Sequence, residues 1–141
     1  MIPITTESRY NALVKLREGK ISREIFSDSE IFEEELEKVF TRAWLFVGHE
    51  SQVPNPGDFF TSRMGAESVI LARDKKKKVH VFLNSCRHRG MKVCQYDHGN
   101  TQLFTCPYHS WSYTTDGKLF GVPQFKQLYE GCMEKEEWSL I

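Results

Sequence analysis

Two segments decide how this sequence folds: Cys86-Arg87-His88-Arg89-Gly90-Met91 and Cys106-Pro107-Tyr108-His109-Ser110-Trp111. Each follows a predicted strand, so each pair of Cys and His is expected on a loop. A Cys and a His one or two residues apart on a tight loop can both direct a donor atom inward. Two such loops facing each other predict a cage of four ligands, Cys86, His88, Cys106 and His109.

The spacing of these ligands bears on which metal they bind. Zinc is one alternative, because sites of two Cys and two His are common, but zinc loops usually separate the first two ligands by two to four residues. Here a single residue separates Cys86 from His88. One Cys and one His in each loop suits a [2Fe–2S] cluster in which one iron binds both thiolates and the other both imidazoles. The pattern therefore favours iron and sulfur over zinc.

Length and charge narrow the class of protein. A chain of 141 residues with 40% hydrophobic and 27% charged residues predicts one globular domain. The 19 basic residues balance the 19 acidic ones, so no overall field attracts nucleic acid or a membrane.

No signal sequence or membrane span is recognisable, which predicts a cytoplasmic protein with reduced thiols. The two further cysteines, Cys94 and Cys132, are expected to be buried free thiols.

The chain up to residue 42 is predicted to form a helical arm. Ser27 is a plausible N-cap, with Glu30 completing a capping box. An apolar stripe at helical spacing follows, made of Phe32, Leu36, Val39 and Phe40. Two interpretations stay open: the helix packs on its own domain, or it docks on a partner domain.

From Trp44 onward the pattern changes to short strands separated by turns, so the fold class is mainly β with an N-terminal helical arm (α+β). Asp74-Lys75-Lys76-Lys77-Lys78 is interpreted as the charged tip of a hairpin, either a solvated turn or a docking patch for an acidic partner. Thr115-Asp116-Gly117 predicts a second hairpin turn. The predicted strands are Trp44–Gly48, Val69–Ala72, Val79–Leu83, Thr101–Thr105 and Lys118–Gly121.

The two Cys/His segments, together with Trp44–Glu50 and Pro56–Phe59, resemble the Rieske segment of aromatic-ring-hydroxylating oxygenase α subunits, the Rieske non-haem iron oxygenases. The resemblance implies a Rieske [2Fe–2S] domain over 43–141, with cluster-binding loops at 84–92 and 104–113. Ser110 departs from it, because the family usually has glycine there, which suits a left-handed turn. Trp111 is expected to pack against the loops.

The resemblance also implies a function. Such a domain passes electrons from a ferredoxin or a flavin-dependent reductase to a mononuclear Fe(II) in the catalytic domain of the same or a neighbouring α subunit. That iron activates O2 for ring hydroxylation in aromatic hydrocarbon catabolism, although some relatives act on quaternary amines. A β subunit is a further expected partner. No two of the five histidines have the spacing of about five residues expected for that iron, so its domain is predicted to be absent from this chain.

Two features predict the low-potential class of Rieske proteins. The loops of respiratory Rieske proteins resemble a pattern in which each loop has one additional cysteine and the two additional cysteines form a disulfide. In this sequence Met91 and Tyr108 stand at those two positions. Trp111 stands where the respiratory loop offers a hydroxyl to the cluster. Two other functions remain alternatives: a free-standing Rieske ferredoxin and a zinc-stabilised interaction module.

Overall fold

The computed structural model describes residues 6–141, so the start of the predicted arm, from Met1 to Thr5, lies outside the described residues. The chain divides into two units, one up to Trp44 and one from Leu45 to Ile141. In the part of the chain from residue 6 onward, no helix is long and apolar enough to cross a membrane.

The first unit contains short elements rather than one helical arm. Its α-helices are α1 (Thr6–Leu13) and α2 (Ser29–Glu35), and its strands are β1 (Val14–Lys15) and β2 (Lys20–Ile21). Gly19, which adopts φ +62°, turns the chain between the two strands. The predicted helical arm therefore contains two short helices, with a two-stranded hairpin between them. The remaining turns are 3₁₀ at Leu16–Glu18 and Arg23–Phe26 and π-helical at Leu36–Phe40.

The predicted cap and apolar stripe of the second helix both need correction. The N-cap is Asp28 rather than Ser27, because the Asp28 carboxylate accepts the backbone N–H groups of Glu30 and Ile31 at 2.9 and 3.0 Å. Ile31 is buried, whereas Phe32 is half exposed. The α-helix ends at Glu35 and the chain continues as a π turn, so helical spacing no longer keeps the predicted stripe on one face.

The second unit consists of two small antiparallel sheets, which confirms the prediction of a mainly β fold. The four-stranded sheet has the order β5-β4-β3-β6, and the three-stranded sheet has the order β7-β8-β9. The first sheet contains β3 (Asp58–Met64), β4 (Glu67–Arg73), β5 (Val79–Leu83) and β6 (His98–Asn100). The second contains β7 (Leu103–Thr105), β8 (Ser112–Thr114) and β9 (Leu119–Gly121). Short helical segments lie at Glu50–Gln52, at α3 (Phe125–Leu128) and at Lys135–Trp138.

Most predicted strands of this unit are present. Both predicted hairpins form, between β4 and β5 and between β8 and β9. The run Trp44–Gly48, however, forms no strand, and Trp44 and Phe46 are exposed, so that prediction is wrong. Strands β3 and β6 were not predicted, although β3 pairs with both β4 and β6.

Three phenylalanines join the two sheets in one core. The ring of Phe104, in β7, meets those of Phe59 and Phe82 edge to face, at centroid distances of 5.3 and 5.9 Å. Phe59 and Phe82 lie in β3 and β5, and all three rings are buried. This packing brings the ends of β5 and β7 together, and each of the two Cys/His loops follows one of these strands.

The lysine-rich tip of the β4–β5 hairpin is a solvated turn. Lys75 to Lys78 are exposed, and the Asp74 carboxylate accepts the backbone N–H groups of Lys76 and Lys78, each at 2.8 Å. The tip and the loop that carries Cys86 lie at opposite ends of β5. The lysines therefore do not border the Cys/His loops.

Candidate metal centre

The two Cys/His loops have matching backbones. In the first, the Cys86 N–H donates to the Met91 carbonyl and the Gly90 N–H to the Cys86 carbonyl, both at 2.8 Å. In the second, the Cys106 N–H donates to the Trp111 carbonyl at 2.8 Å, and the Ser110 N–H to the Cys106 carbonyl at 3.0 Å. Each cysteine thus begins a closed turn that carries its histidine two or three residues later.

The fifth residue of each loop, counted from its cysteine, has a left-handed backbone, with φ +71° at Gly90 and +58° at Ser110. Ser110 therefore adopts the left-handed conformation that glycine would adopt more easily. For an L-residue this conformation costs roughly 1–2 kcal/mol. The second loop nevertheless has the same two backbone hydrogen bonds as the first.

The four candidate ligands meet as two pairs, thiol with thiol and imidazole with imidazole. Cys86 and Cys106 are buried, and neither is in a disulfide. Burial raises the pKa of the Cys106 thiol, and the adjacent Cys86 thiol raises it further. The rings of His88 and His109 are half-buried, with centroids 4.6 Å apart.

The two imidazoles each have a buried nitrogen that lacks a partner. Among the described residues, Nδ1 of His88 and Nδ1 of His109 are the buried side-chain polar atoms without a hydrogen bond. Such an atom costs about 1–3 kcal/mol unless something binds it. Burial also lowers the pKa of His88, and the neighbouring His109 and Arg89 lower it further, so its neutral, metal-binding form is favoured.

This donor set fits a Rieske cluster. Among the residues that the structure describes, no three His, Cys, Asp or Glu side chains are grouped so that they could hold a single metal ion. A Rieske cluster instead uses two pairs of ligands, with sulfur on one iron and nitrogen on the other. The same two loops supply one pair of buried thiols and one pair of imidazoles whose buried nitrogens lack partners.

Tyr113 is a site residue that the sequence pattern did not reveal. Its hydroxyl lies 3.3 Å from Sγ of Cys86 and accepts the backbone N–H of Arg87 at 3.1 Å. The side chain is fully buried, and burial, followed by the contact with Cys86, raises its pKa, so the phenol stays protonated. Alternation along β8 predicts only that this residue faces the core.

Aromatic rings cover both histidines. Trp111 is buried and stacks flat on His88, with a centroid distance of 4.9 Å and an angle of 8° between the ring planes. This is the packing against the loops that the resemblance implied. Tyr108 stacks on His109 at 3.8 Å. Apolar cover of this kind controls how much water reaches a metal site.

The remaining cysteines and histidines lie outside this group. Cys94 is buried, as predicted, but Cys132 is exposed, so that prediction is wrong. Cys132 lies in the surface turn after α3, where the two residues before it, Glu130 and Gly131, are also exposed. His49 caps the turn at Glu50–Gln52, and His80 contacts Asp74.

Comparison with known proteins identifies the family. Residues 43–131 match the model of the Rieske [2Fe–2S] domain. The α subunit of biphenyl 2,3-dioxygenase from Rhodococcus jostii (strain RHA1) is 47% identical over 127 residues, which are 90% of this chain and 27% of that protein. The α subunit of benzene 1,2-dioxygenase from Pseudomonas putida is 44% identical over 132 residues, which are 94% of this chain and 29% of that protein.

A solved structure shows the same fold. Naphthalene 1,2-dioxygenase from Rhodococcus sp., bound to indole, superimposes with a TM-score of 0.78 at 41% identity, over 83% of this chain and 27% of that one. The chain thus spans less than a third of the length of these relatives. Since the family model covers more than half of its residues, the chain belongs to the Rieske [2Fe–2S] domain family, and it is homologous to the α subunits of aromatic-ring dioxygenases.

Proposed function

We propose that Cys86, His88, Cys106 and His109 hold the [2Fe–2S] cluster, with both thiolates on one iron and both imidazoles on the other. The observation that carries this assignment is the pair of buried Nδ1 atoms without partners, on matching loops that also bury two thiols. A cluster bound in this way accepts and releases one electron.

The chain's own residues prepare the site for that role. Trp111 and Tyr108 cover the imidazoles, and the Tyr113 hydroxyl is placed to donate a hydrogen bond to the Cys86 sulfur. Exclusion of water and hydrogen bonds to sulfur are two means by which a protein adjusts the potential of such a site.

Within a longer oxygenase α subunit, this domain would pass electrons to a mononuclear non-haem iron that hydroxylates an aromatic ring. The similarity to the biphenyl and benzene dioxygenase α subunits supports this role. We assign residues 1–42 to an N-terminal arm and residues 43–141 to the cluster domain. The catalytic domain of the same or a neighbouring α subunit would receive the electrons, and a β subunit would complete the assembly.

The surface around the histidines suits an acidic electron donor such as a ferredoxin, or the flavin-dependent reductase itself. Arg87, Arg89 and Lys92 are exposed, and none of them is in an ion pair among the described residues. Neither 86–92 nor 106–111 contains a carboxylate. A basic rim around exposed Met91 and Tyr108 would steer an acidic partner toward the cluster.

The free thiols of the ligands suit a reducing cytoplasm.

The test is the metal content and electron paramagnetic resonance spectrum of the anaerobically purified chain after dithionite reduction. We expect two irons per chain, no zinc, and the rhombic signal of a reduced cluster with two imidazole ligands. One zinc per chain with no signal would overturn the proposal in favour of a zinc-stabilised interaction module.

A pair of cysteine variants tests the ligand assignment. Cys106→Ala should lose the iron and the signal, because one iron is left with a single thiolate. Cys94→Ala is the matched control, since Cys94 is also a buried free thiol but lies outside both loops. Loss of the cluster in both variants alike, or in neither, would contradict the assignment of Cys106.

A further inference from the structure

We propose that Trp138 is a positioning residue for His88: it holds the Trp111 ring in place, and that ring in turn fixes the plane of the imidazole. The inference rests on the proposed function, because His88 needs a fixed plane only if it binds iron. Trp138 lies 50 positions after His88 in the sequence, and the Trp111 ring connects the two.

The first step is that His88 has no hydrogen bond to orient it. Histidines that bind metals usually donate their other ring N–H to a carbonyl, a carboxylate or water, which fixes the ring. In the described part of the chain, neither ring nitrogen of His88 has a hydrogen-bond partner within this protein. Its ring contacts are an edge-to-face contact with His109 and the flat stack on Trp111, and it is the flat stack, with planes 8° apart, that sets the plane of the imidazole.

The second step is that Trp111 is held by rings from the C-terminal part of the chain. Trp138 meets it edge to face, with centroids 5.8 Å apart and ring planes at 71°, and Tyr129 meets it at 6.1 Å and 88°. Edge-to-face aromatic pairs of this kind stabilise a fold by more than the burial of their apolar surface alone. Trp111 thus contacts the imidazole of His88 and two further aromatic rings.

The third step is that Trp138 is itself fixed, because residues 138–141 form a strap across both sheets. The Ser139 hydroxyl accepts the Leu119 N–H at 3.3 Å, and the Leu140 N–H donates to the Gly117 carbonyl at 2.8 Å. The Leu83 N–H donates to the Ile141 carbonyl at 2.6 Å. Leu83 ends the strand before the first loop, and Gly117 and Leu119 belong to the β8–β9 hairpin that follows the second, so the strap holds Trp138 against the supports of both loops.

Removal of the Trp138 ring should therefore affect the cluster as well as the stability of the fold. In Trp138→Leu the Trp111 ring loses one of its two edge-to-face partners. The imidazole of His88 should then sample more orientations, and water should come closer to the cluster. Water favours the more negative, reduced cluster, so the midpoint potential should rise. Variation in the imidazole orientation should broaden the resonance lines of the reduced cluster.

The experiment compares cluster-loaded wild type, Trp138→Leu, Trp138→Phe and Phe60→Leu by iron content, midpoint potential and resonance line width. Phe60 is the control: it is a half-buried ring of the same unit, but it lies in β3 and is not one of the rings packed on Trp111. We expect higher potentials and broader lines in Trp138→Leu, a smaller change of the same sign in Trp138→Phe, and wild-type values in Phe60→Leu.

Each outcome decides between the proposals. Wild-type potentials and line widths in iron-loaded Trp138 variants would overturn the positioning role and leave the proposed function intact. Equal changes in Phe60→Leu would also overturn it, since loosened packing would then explain both. If Trp138→Leu does not accumulate as folded protein, an unchanged Trp138→Phe overturns the role by itself. A wild-type chain that binds no iron would instead refute the proposed function.

Discussion

The hydroxyl of Tyr113 lies 3.3 Å from the sulfur of Cys86, although 27 residues separate them in the chain. The same hydroxyl accepts the backbone N–H of Arg87 at 3.1 Å, so its own proton can be directed at the sulfur. Strand β8 follows the second loop, and through Tyr113 it reaches Cys86, a proposed ligand, in the first. This contact links the two halves of the candidate metal centre.

Tyr113→Phe should lower the midpoint potential, because a hydrogen bond to sulfur stabilises the more negative, reduced cluster. A bond of about 0.5–1.5 kcal/mol corresponds to roughly 20–60 mV for one electron. The variant also leaves the Arg87 N–H without this acceptor. Potentiometric titration of both proteins measures the shift, with Tyr96→Phe, which changes an exposed tyrosine, as the control. An unchanged potential in Tyr113→Phe would show that the hydroxyl does not donate to the sulfur.

The wild-type cluster should have a midpoint potential on the order of −150 mV. Met91 and Tyr108 occupy the positions at which the high-potential respiratory pattern has its disulfide, and the buried Trp111 offers no hydroxyl. Both absences remove polar interactions that would favour the reduced state. Redox titration followed by electron paramagnetic resonance gives the value. A potential well above zero would place the chain with the respiratory class instead.

Ser110→Gly should stabilise the domain by about 1 kcal/mol, because it relieves a left-handed residue. Gly90→Ala is the converse change at the matching position of the first loop. A methyl group there would lie 3.8 Å from Ser85 Oγ, its nearest neighbour, so the backbone conformation alone should cost about 1 kcal/mol. Denaturant unfolding of both variants measures the two changes. Equal stabilities for all three proteins would mean that the loops tolerate φ above zero without strain.

The hydrogen bond between His80 and the Asp74 carboxylate should make stability depend on pH. The hydrogen bond from His80 Nε2, at 2.9 Å, lowers the pKa of Asp74, and the N–H groups of Lys76 and Lys78 lower it further. A carboxyl group with a lowered folded pKa stabilises the fold above its unfolded pKa of about 3.9, and this contribution is lost as pH falls through the folded value.

Asp74→Asn should therefore lower the thermal midpoint at pH 7, and the difference from wild type should shrink between about pH 5 and pH 3. Calorimetry or circular dichroism at several pH values measures it. Asp97→Asn is the control, because the Asp97 side chain forms no hydrogen bond or ion pair among residues 6–141. A difference that stays constant down to pH 3 would rule out ionisation of Asp74 as its cause.

Local patterns predicted the parts of the fold that local chemistry controls. The hairpin turns at Asp74–Lys78 and Thr115–Gly117 form because their turn residues and flanking apolar runs act within a few positions. The same reasoning placed the cap of α2 one residue early, since Ser27 and Asp28 are both good caps and only the folded backbone shows which side chain reaches the N–H groups. It also predicted a strand at Trp44–Gly48, an apolar run that pairs with no strand among residues 6–141.

The sequence by itself determined the chemistry of this protein: two thiols, two imidazoles and the spacing that assigns one of each to either loop. The tertiary structure decided what surrounds them. Tyr113 reaches Cys86, and Trp138 reaches His88 through Trp111, because two sheets pack through Phe59, Phe82 and Phe104 and a strap crosses both. Alternation along a strand tells which side chains face inward, but which of them meet across a core depends on how separate sheets pack, and no local pattern encodes that.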